Sequence, residues 1–292
     1  MNTPVIVADL IELIKRTATD LPGPIEAAVI QARKREAQGS PAWDALRVIE
    51  ENITLARQKA TPICQDTGTL NFFIDYPTGW STLALSEQVR TATAEATRLS
   101  ILRPNAVDGI TGENSGDNLG EGQPNIYWQE WTKPYLRVRL LLKGGGCENM
   151  GRQYALPDAR LQAKRDLAGV RRVLLDAVHQ AQGQGCAPGV LGVCIGGDRS
   201  QGYVEAKRQL LRPLHDANAD PALAALEDRV LREANSLGIG PMGFGGKTTL
   251  LGVKIGALHR LPASYFVTVS YMCWAYRKHE LMWHAEGVVE YA

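Results

Sequence analysis

Residues 62–76 read Pro-Ile-Cys-Gln-Asp-Thr-Gly-Thr-Leu-Asn-Phe-Phe-Ile-Asp-Tyr, and here the chain changes from helix to strand. Pro62 ends a helical N-terminal part of about 60 residues, because proline cannot continue a helix. The Cys64–Gly68 stretch is typical of a turn. The Phe-Phe-Ile run within Thr69–Tyr76 predicts a buried strand. This switch between the two kinds of structure favours an α/β fold.

Hydrophobic periodicity extends the prediction in both directions along the chain. Helices are predicted at residues 5–19, 25–37, 44–59, 85–99, 159–181, 201–212 and 219–237. Further strands are predicted at residues 135–142, 190–195, 250–258 and 264–271, the last of which leads to Cys273. The polar stretch from Pro104 to Pro124 is predicted to be a functional or flexible loop. We therefore expect one α/β domain over residues 1–292, with mixed helices and strands joined by glycine-rich loops.

Composition narrows the class of protein. The formal net charge is +1, which argues against a general nucleic-acid or membrane surface. No stretch approaches the ~20 apolar residues of a transmembrane helix. The first residues lack the basic region of a signal peptide, and the cysteine count of 5 is odd. These features predict a reducing, cytoplasmic setting.

Three of the cysteines have a setting that suggests chemistry. Cys64, Cys186 and Cys273 lie far apart in sequence, so they do not form a local zinc site. Three thiolates brought together from distant loops can hold a [4Fe–4S] cluster and leave one iron without a protein ligand. Such an iron acts as a Lewis acid. The alternative is that the cysteines are small buried hydrophobic residues.

Glycine-rich turns offer a second kind of site. Gly144–Gly146, Gly196–Gly197 and Gly243–Gly246 can each direct backbone N–H groups at an anion, although each can also be a sharp turn between packed elements. The segment around Lys247 matches the second half of a Walker A loop. Pro241 stands where that motif needs its first glycine, so nucleotide binding is a minor alternative.

Polar residues beside these features can bind a substrate. Gln65 and Asp66 follow Cys64 directly, and their amide and carboxylate can hydrogen-bond a polar molecule there. Asp66 can equally form an Asx turn or a cap. Arg103 can hold a carboxylate in bidentate fashion, although many loop arginines are only solvated.

A set of motifs resembles those of the class I, iron–sulfur-dependent fumarate hydratases and L-tartrate dehydratases. They are, in order, Cys-Gln-Asp-Thr-Gly, Leu-Arg-Pro-Asn-Ala-Val, Lys-Gly-Gly-Gly-Cys-Glu-Asn, Gly-Cys-Ala-Pro and Met-Cys-Trp-Ala. The resemblance covers nearly the whole chain. It is to the α subunit, which corresponds to the N-terminal domain of the fused enzymes, and it implies the fold of that domain.

The resemblance implies roles for individual residues. The implied ligands of a [4Fe–4S] cluster are Cys64, Cys186 and Cys273. The implied substrate contacts are Gln65, Asp66, Arg103 and the backbone of Gly145 and Gly146. Cys147 stands where fused fumarases commonly carry serine, which makes it a neighbour of the site, and Cys194 is expected to be a packing residue. Asp66 is the candidate catalytic base on this chain, whereas the family pattern places the base on a separate β subunit.

The implied activity is a hydro-lyase reaction of the tricarboxylic acid cycle type. Water would be added to or removed from a C4 dicarboxylate, with fumarate/malate favoured over tartrate or mesaconate. The implied partner is a β subunit in a homo- or hetero-oligomer, without nucleic acid or membrane. The other class that stays open is an iron–sulfur redox or sensor protein, with Cys147 or Cys194 as a fourth ligand.

Overall fold

The computed structural model describes residues 3–284 and 287–292. Over these ranges the first elements in chain order are α1 (Val7–Thr19), α2 (Gly23–Arg35), α3 (Pro41–Lys59), β1 (Thr69–Pro77), α4 (Thr82–Arg98), β2 (Asn125–Trp131), β3 (Tyr135–Lys143), α5 (Gly145–Asn149) and β4 (Arg152–Ala155). They are followed by α6 (Leu167–Ala181), β5 (Gly189–Ile195), α7 (Arg199–Gln209), α8 (Pro221–Ser236), a 3₁₀ turn (Pro241–Gly243), β6 (Leu250–Ala257), β7 (Phe266–Met272), β8 (Lys278–His284) and β9 (Val289–Tyr291). The predicted α/β class is confirmed.

The chain forms two compact units. The first consists of the residues up to Pro22, Asn52–Gly145 and the residues from Arg277 onwards, and the second consists of Gly23–Glu51 and Gly146–Tyr276. The expectation of one domain over residues 1–292 stays a prediction. Within the described residues no helix is both long enough and apolar enough to span a bilayer.

The first unit is built on a five-stranded sheet of order β2-β1-β3-β8-β9. β1 runs parallel to β2 and antiparallel to β3. Leu10, Leu13 and Ile14 recur at helical spacing on α1 and are fully buried. They form one core with sheet residues such as Phe72 and Leu140. Burial of the apolar face of α1 against the sheet therefore holds this unit together.

The second unit is built on a four-stranded sheet of order β4-β7-β5-β6. β5 is parallel to β6 and antiparallel to β7. Every residue of β5 is buried, as its continuous apolar run predicts. α6 and α8 cover the sheet with residues such as Val173 and Val230. β7 ends directly before Cys273, which confirms that this strand leads to the cysteine.

The predicted helix at residues 159–181 is too long at its start. α6 begins at Leu167, because Asp166 caps it by accepting a hydrogen bond from the Gly169 N–H at 2.7 Å. The preceding residues instead form a small antiparallel bridge, in which the backbones of Asp158 and Ala163 exchange two bonds of 2.9 Å. The other predicted helices agree with the structure to within about three residues at each end.

Strands β2, β4, β8 and β9 were not predicted from the sequence. β2 and β9 lie at the edges of the first sheet, and β8 is only partly buried along most of its length. β8 also lacks the apolar run that identified β1 and β5, because its sequence is Lys-His-Glu-Leu-Met-Trp-His. Pairing with β3 places it in the sheet.

Candidate active site

The turn that carries Gln65 and Asp66 is held by the Asp66 carboxylate. One oxygen, Oδ1, accepts a hydrogen bond from the Gly68 N–H at 3.0 Å, and Oδ2 accepts one from the Gly145 N–H at 2.8 Å. Gly68 has φ +80°, and a Cβ atom there would lie 2.6 Å from the carbonyl carbon of Lys143. Only glycine fits this close approach. Asp66 therefore joins the Cys64–Gly68 turn to the glycine-rich loop after β3.

Arg103 is brought to the same turn by Thr67. The Thr67 hydroxyl oxygen accepts hydrogen bonds from the Arg103 N–H at 3.2 Å and from the Asn105 Nδ2 at 3.0 Å. Asn118, which is buried, donates from Nδ2 to the Arg103 carbonyl at 3.0 Å. The side chains of Gln65 and Arg103 are exposed. The Gln65 amide and the Arg103 guanidinium are thus exposed on two segments that hydrogen bonds to Thr67 hold together. Both groups can donate hydrogen bonds to a carboxylate.

In the second unit, the Cys186 and Cys273 segments are joined through their backbones. The Trp274 N–H donates to the Cys186 carbonyl at 3.2 Å, and Trp274 directly follows Cys273. Cys186 has φ +52°, a conformation that is unfavourable for a residue with a Cβ atom. Such strain persists where the surrounding structure holds it and is concentrated at functional sites.

Three thiols lie close to one tyrosine in this unit. Burial and the neighbouring groups of Cys147, Cys273 and Cys186 raise the pKa of the Tyr271 phenol far above its usual value. Cys147 and Cys273 are buried and Cys186 is half-buried. Cys147 therefore acts on the same tyrosine as Cys186 and Cys273, two of the predicted ligands. This agrees with its predicted place as a neighbour of the site.

The donor set of this unit fits an iron–sulfur cluster better than a single ion. Among the residues that the structure describes, no group of three or more His, Cys, Asp or Glu side chains is arranged to hold one metal ion. A four-iron cluster occupies a larger volume, and its protein ligands are cysteine thiolates. The charged groups that raise the pKa of the neighbouring Tyr271 are the thiols of Cys147, Cys273 and Cys186.

Cys194 has the environment of a packing residue, which confirms the expectation from the sequence. It lies in the middle of the second sheet and is fully buried. Burial and the nearby Glu205 carboxylate raise the pKa of its thiol to about 12. A thiol that resists ionisation is a poor metal ligand.

The glycine-rich loop before β6 already holds an anion from the chain itself. The Glu36 carboxylate accepts hydrogen bonds from the Lys247 N–H at 2.9 and 3.0 Å and from the Thr248 N–H at 3.0 Å. A Cβ atom at Gly246 would lie 2.8 Å from the same carboxylate. These N–H groups are the ones that a nucleotide phosphate would need, so their use by Glu36 favours a structural role for the loop.

Comparison with known proteins decides the family. A family model described as fumarate hydratase matches residues 7–282. The chain belongs to the class I fumarate hydratase family. It is 52% identical over 270 residues to a Geobacillus stearothermophilus protein provisionally named fumarate hydratase class I, with 91% of this chain and 52% of that protein covered. The chain thus spans about half the length of that relative.

Two relatives in this family are named as single subunits. A Methanocaldococcus jannaschii protein provisionally named L(+)-tartrate dehydratase subunit alpha is 32% identical over 274 residues, which cover 92% of this chain and 94% of that protein. The Escherichia coli L(+)-tartrate dehydratase subunit alpha is 31% identical over 242 residues, which cover 82% of this chain and 78% of that protein. The resemblance found from the motifs is therefore confirmed.

Two buried polar side chains of this fumarate hydratase family member were not identified as site residues from the sequence. Tyr271 and Arg277 are each 1% exposed. Among the described residues, the Tyr271 hydroxyl and the Nε and Nη1 atoms of Arg277 have no hydrogen-bond partner. Both flank the Met-Cys-Trp-Ala motif at residues 272–275, and that position is the one signal the sequence offers. Buried groups of this kind are costly unless a partner binds.

Proposed function

We propose that this chain is the α subunit of a [4Fe–4S]-dependent hydro-lyase that reversibly adds water to, or removes it from, a C4 dicarboxylate. Fumarate and malate are the favoured pair. The observation that carries the proposal is the bond between the Trp274 N–H and the Cys186 carbonyl, which joins two motif cysteine segments beside a third thiol, Cys147. Membership of the fumarate hydratase family supports the same reaction.

The proposed cluster ligands are Cys64, Cys186 and Cys273. Cys186 and Cys273 belong to the second unit, and Cys64 belongs to the first and is proposed from its motif. When bound, the cluster supplies a Lewis-acidic iron that helps the substrate hydroxyl to leave. The remaining tasks, binding the carboxylates, orienting the substrate and moving a proton, fall to protein groups.

The groups proposed to bind and orient the substrate are the side chains of Gln65 and Arg103 and the backbone of Gly145 and Gly146. The exposed guanidinium of Arg103 can hold a carboxylate through two parallel N–H groups. The Gln65 amide can bond a substrate oxygen, and the backbone of Gly145 and Gly146 is proposed to contact the substrate where negative charge develops. The Gly145 N–H donates to the Asp66 carboxylate, so the Asp66 side chain also fixes the conformation of the glycine-rich loop after β3.

The proton must be taken by a base. Asp66 is the candidate on this chain, and each of its oxygens accepts one backbone hydrogen bond while keeping further lone pairs. The resemblance places the more favoured base on a β subunit. Two relatives are named alpha subunits, so we infer a separate β partner in a homo- or hetero-oligomer.

The substrate has close alternatives. The relatives at 31% and 32% identity are named for tartrate, so an L-tartrate dehydratase is the second candidate, followed by a mesaconate hydratase. One methyl group changes substrate preference by about 1–3 kcal/mol, which is a small change in a pocket. We also infer a place in the tricarboxylic acid cycle from the fumarate/malate preference, and a cytoplasmic setting from the odd number of cysteines, which favours a reducing compartment.

Anaerobic co-expression with a β subunit tests the proposal. The purified complex is assayed against malate, fumarate, tartrate and mesaconate, and the isolated α chain is assayed in parallel. We expect the complex to interconvert fumarate and malate and the isolated chain to be inactive. Full turnover by the isolated chain would contradict the need for a partner, and inactivity of the iron-loaded complex on all four acids would contradict the hydro-lyase.

A further inference from the structure

Tyr271 carries a buried hydroxyl group that has no hydrogen-bond partner within residues 3–284 and 287–292. The residue is the penultimate one of β7, two positions before Cys273, and its side chain is 1% exposed. Buried hydroxyl groups in proteins are nearly always paired. An unpaired one beside a proposed ligand therefore marks a place where an acceptor is expected to bind.

The position of the Tyr271 ring is fixed by two glycines. A Cβ atom at Gly185 would lie 2.4 Å from ring atom Cε1, and one at Gly189 would lie 2.5 Å from both Cζ and Oη. No larger residue fits at either position without displacing the ring. Since Gly185 directly precedes Cys186, the phenol is held against the turn that carries this proposed ligand.

The Tyr271 phenol is suited to act as a donor. A tyrosine phenol keeps its proton near neutral pH. A protonated phenol can donate one hydrogen bond. Neutral thiols accept hydrogen bonds weakly, whereas hydrogen bonds to ionised acceptors are shorter and stronger. The acceptor that suits this position is thus an ionised sulfur.

We propose that Tyr271 is a positioning residue whose phenol O–H donates a hydrogen bond to a sulfur of the Cys186–Cys273 site when those thiolates hold the cluster. The inference rests on the proposed function, because it needs the cluster to be bound. Hydrogen bonds to cluster sulfurs set the reduction potential. A donor stabilises the more negative, reduced form, so Tyr271 is expected to raise the potential.

The test compares Tyr271→Phe with Tyr276→Phe. Tyr276 is a matched control, because it is fully buried in the same unit and its hydroxyl already donates to the Leu210 carbonyl. The full chain is reconstituted anaerobically with iron and sulfide, and the reduction potential is measured by titration followed by electron paramagnetic resonance. We expect a lower potential for Tyr271→Phe than for both the native chain and Tyr276→Phe. Equal potentials at equal iron content would overturn the inference.

A second measurement keeps the test decisive if Tyr271→Phe does not fold. Replacing tyrosine by 3-fluorotyrosine in the Tyr276→Phe background strengthens the phenol as a donor with little change in volume. The potential is then expected to rise, and an unchanged potential would overturn the inference while leaving the cluster in place. A native chain that binds no iron would overturn the proposed cluster and this inference together.

Discussion

The Trp274 N–H donates a hydrogen bond to the Cys186 carbonyl at 3.2 Å, so the residue after Cys273 is bonded to the turn that carries Cys186. Because both atoms belong to the backbone, the contact does not depend on the state of the thiols. Cys186, whose carbonyl accepts this hydrogen bond, has an unfavourable φ of +52°. This arrangement, with Cys147 nearby, is the basis for the following predictions about iron.

Substitution of Cys147 separates a hydro-lyase from an electron carrier. We expect Cys147→Ser to keep the iron and sulfide content of the native chain, because a hydro-lyase needs three protein ligands and leaves one iron open. Iron and labile sulfide are measured after anaerobic reconstitution. Loss of the cluster in a folded Cys147→Ser chain would instead assign Cys147 as a fourth ligand and favour the redox protein.

Asp66→Asn is expected to destabilise the first unit. The carboxylate accepts N–H groups from Gly68 and Gly145 on different oxygens, and an amide can replace only one of these acceptors. The expected cost is about 1–3 kcal/mol, measured as the free energy of unfolding in urea. Asp108→Asn is the control, since Asp108 is exposed and a single oxygen of its carboxylate accepts the N–H groups of Ile110 and Thr111 in its own turn. Equal stability of the two variants would contradict this account.

Glu36→Gln tests the structural role of the glycine-rich loop before β6. The Glu36 carboxylate uses both oxygens on Lys247 and also accepts from Thr248, so the variant is expected to lose about 1–3 kcal/mol of stability. Glu51→Gln, which breaks an exposed ion pair with Arg47, should cost about 1 kcal/mol or less. If the loop binds a nucleotide instead, ATP will raise the melting temperature of the native chain, whereas we expect no change.

His279 makes stability depend on pH. Burial lowers its pKa to about 4, with Asp20 raising it and Arg16 lowering it to smaller extents. The unfolded chain binds this proton near pH 6.5 and the folded chain does not. The stabilising contribution is therefore complete above about pH 6.5 and is lost as the pH falls towards 4.

The measurement is the free energy of unfolding at pH 7.5 and pH 5. We expect the native chain to lose up to about 2 kcal/mol from this residue over that interval, and His279→Gln to lose less. His179→Gln is the control, because His179 is exposed and should leave the pH dependence unchanged. A His279→Gln chain with the native pH dependence would show that another group titrates.

Much of the fold follows from local sequence, and the exceptions have identifiable causes. Continuous apolar runs predicted β1 and β5, whose residues are nearly all buried. β8 escaped prediction because its charged and aromatic residues are half-buried and its place is set by pairing with β3. The predicted helix began too early because the residues before α6 pair with each other, as Asp158 does with Ala163, and helical periodicity does not show such a contact.

Some residues of the candidate site were likewise predicted from the sequence, and others are identified only by tertiary packing. The motif order predicted Cys64, Cys186, Cys273, Gln65 and Arg103 as site residues, and those assignments stay predictions. Tyr271 reads as an ordinary aromatic residue of a strand. Its unpaired hydroxyl and its fit between Gly185 and Gly189 arise only from tertiary packing, so no local pattern could have revealed them.

The central claim, a cluster on three thiolates, is tested most directly by iron content in four cysteine variants. Cys64→Ala, Cys186→Ala and Cys273→Ala are compared with Cys194→Ala after anaerobic reconstitution, with melting temperatures measured to establish folding. We predict that each of the first three loses the [4Fe–4S] signal and that Cys194→Ala, whose residue is buried in β5, keeps it. A full cluster in any one of the first three, or loss of the cluster in a folded Cys194→Ala chain, would contradict the assignment.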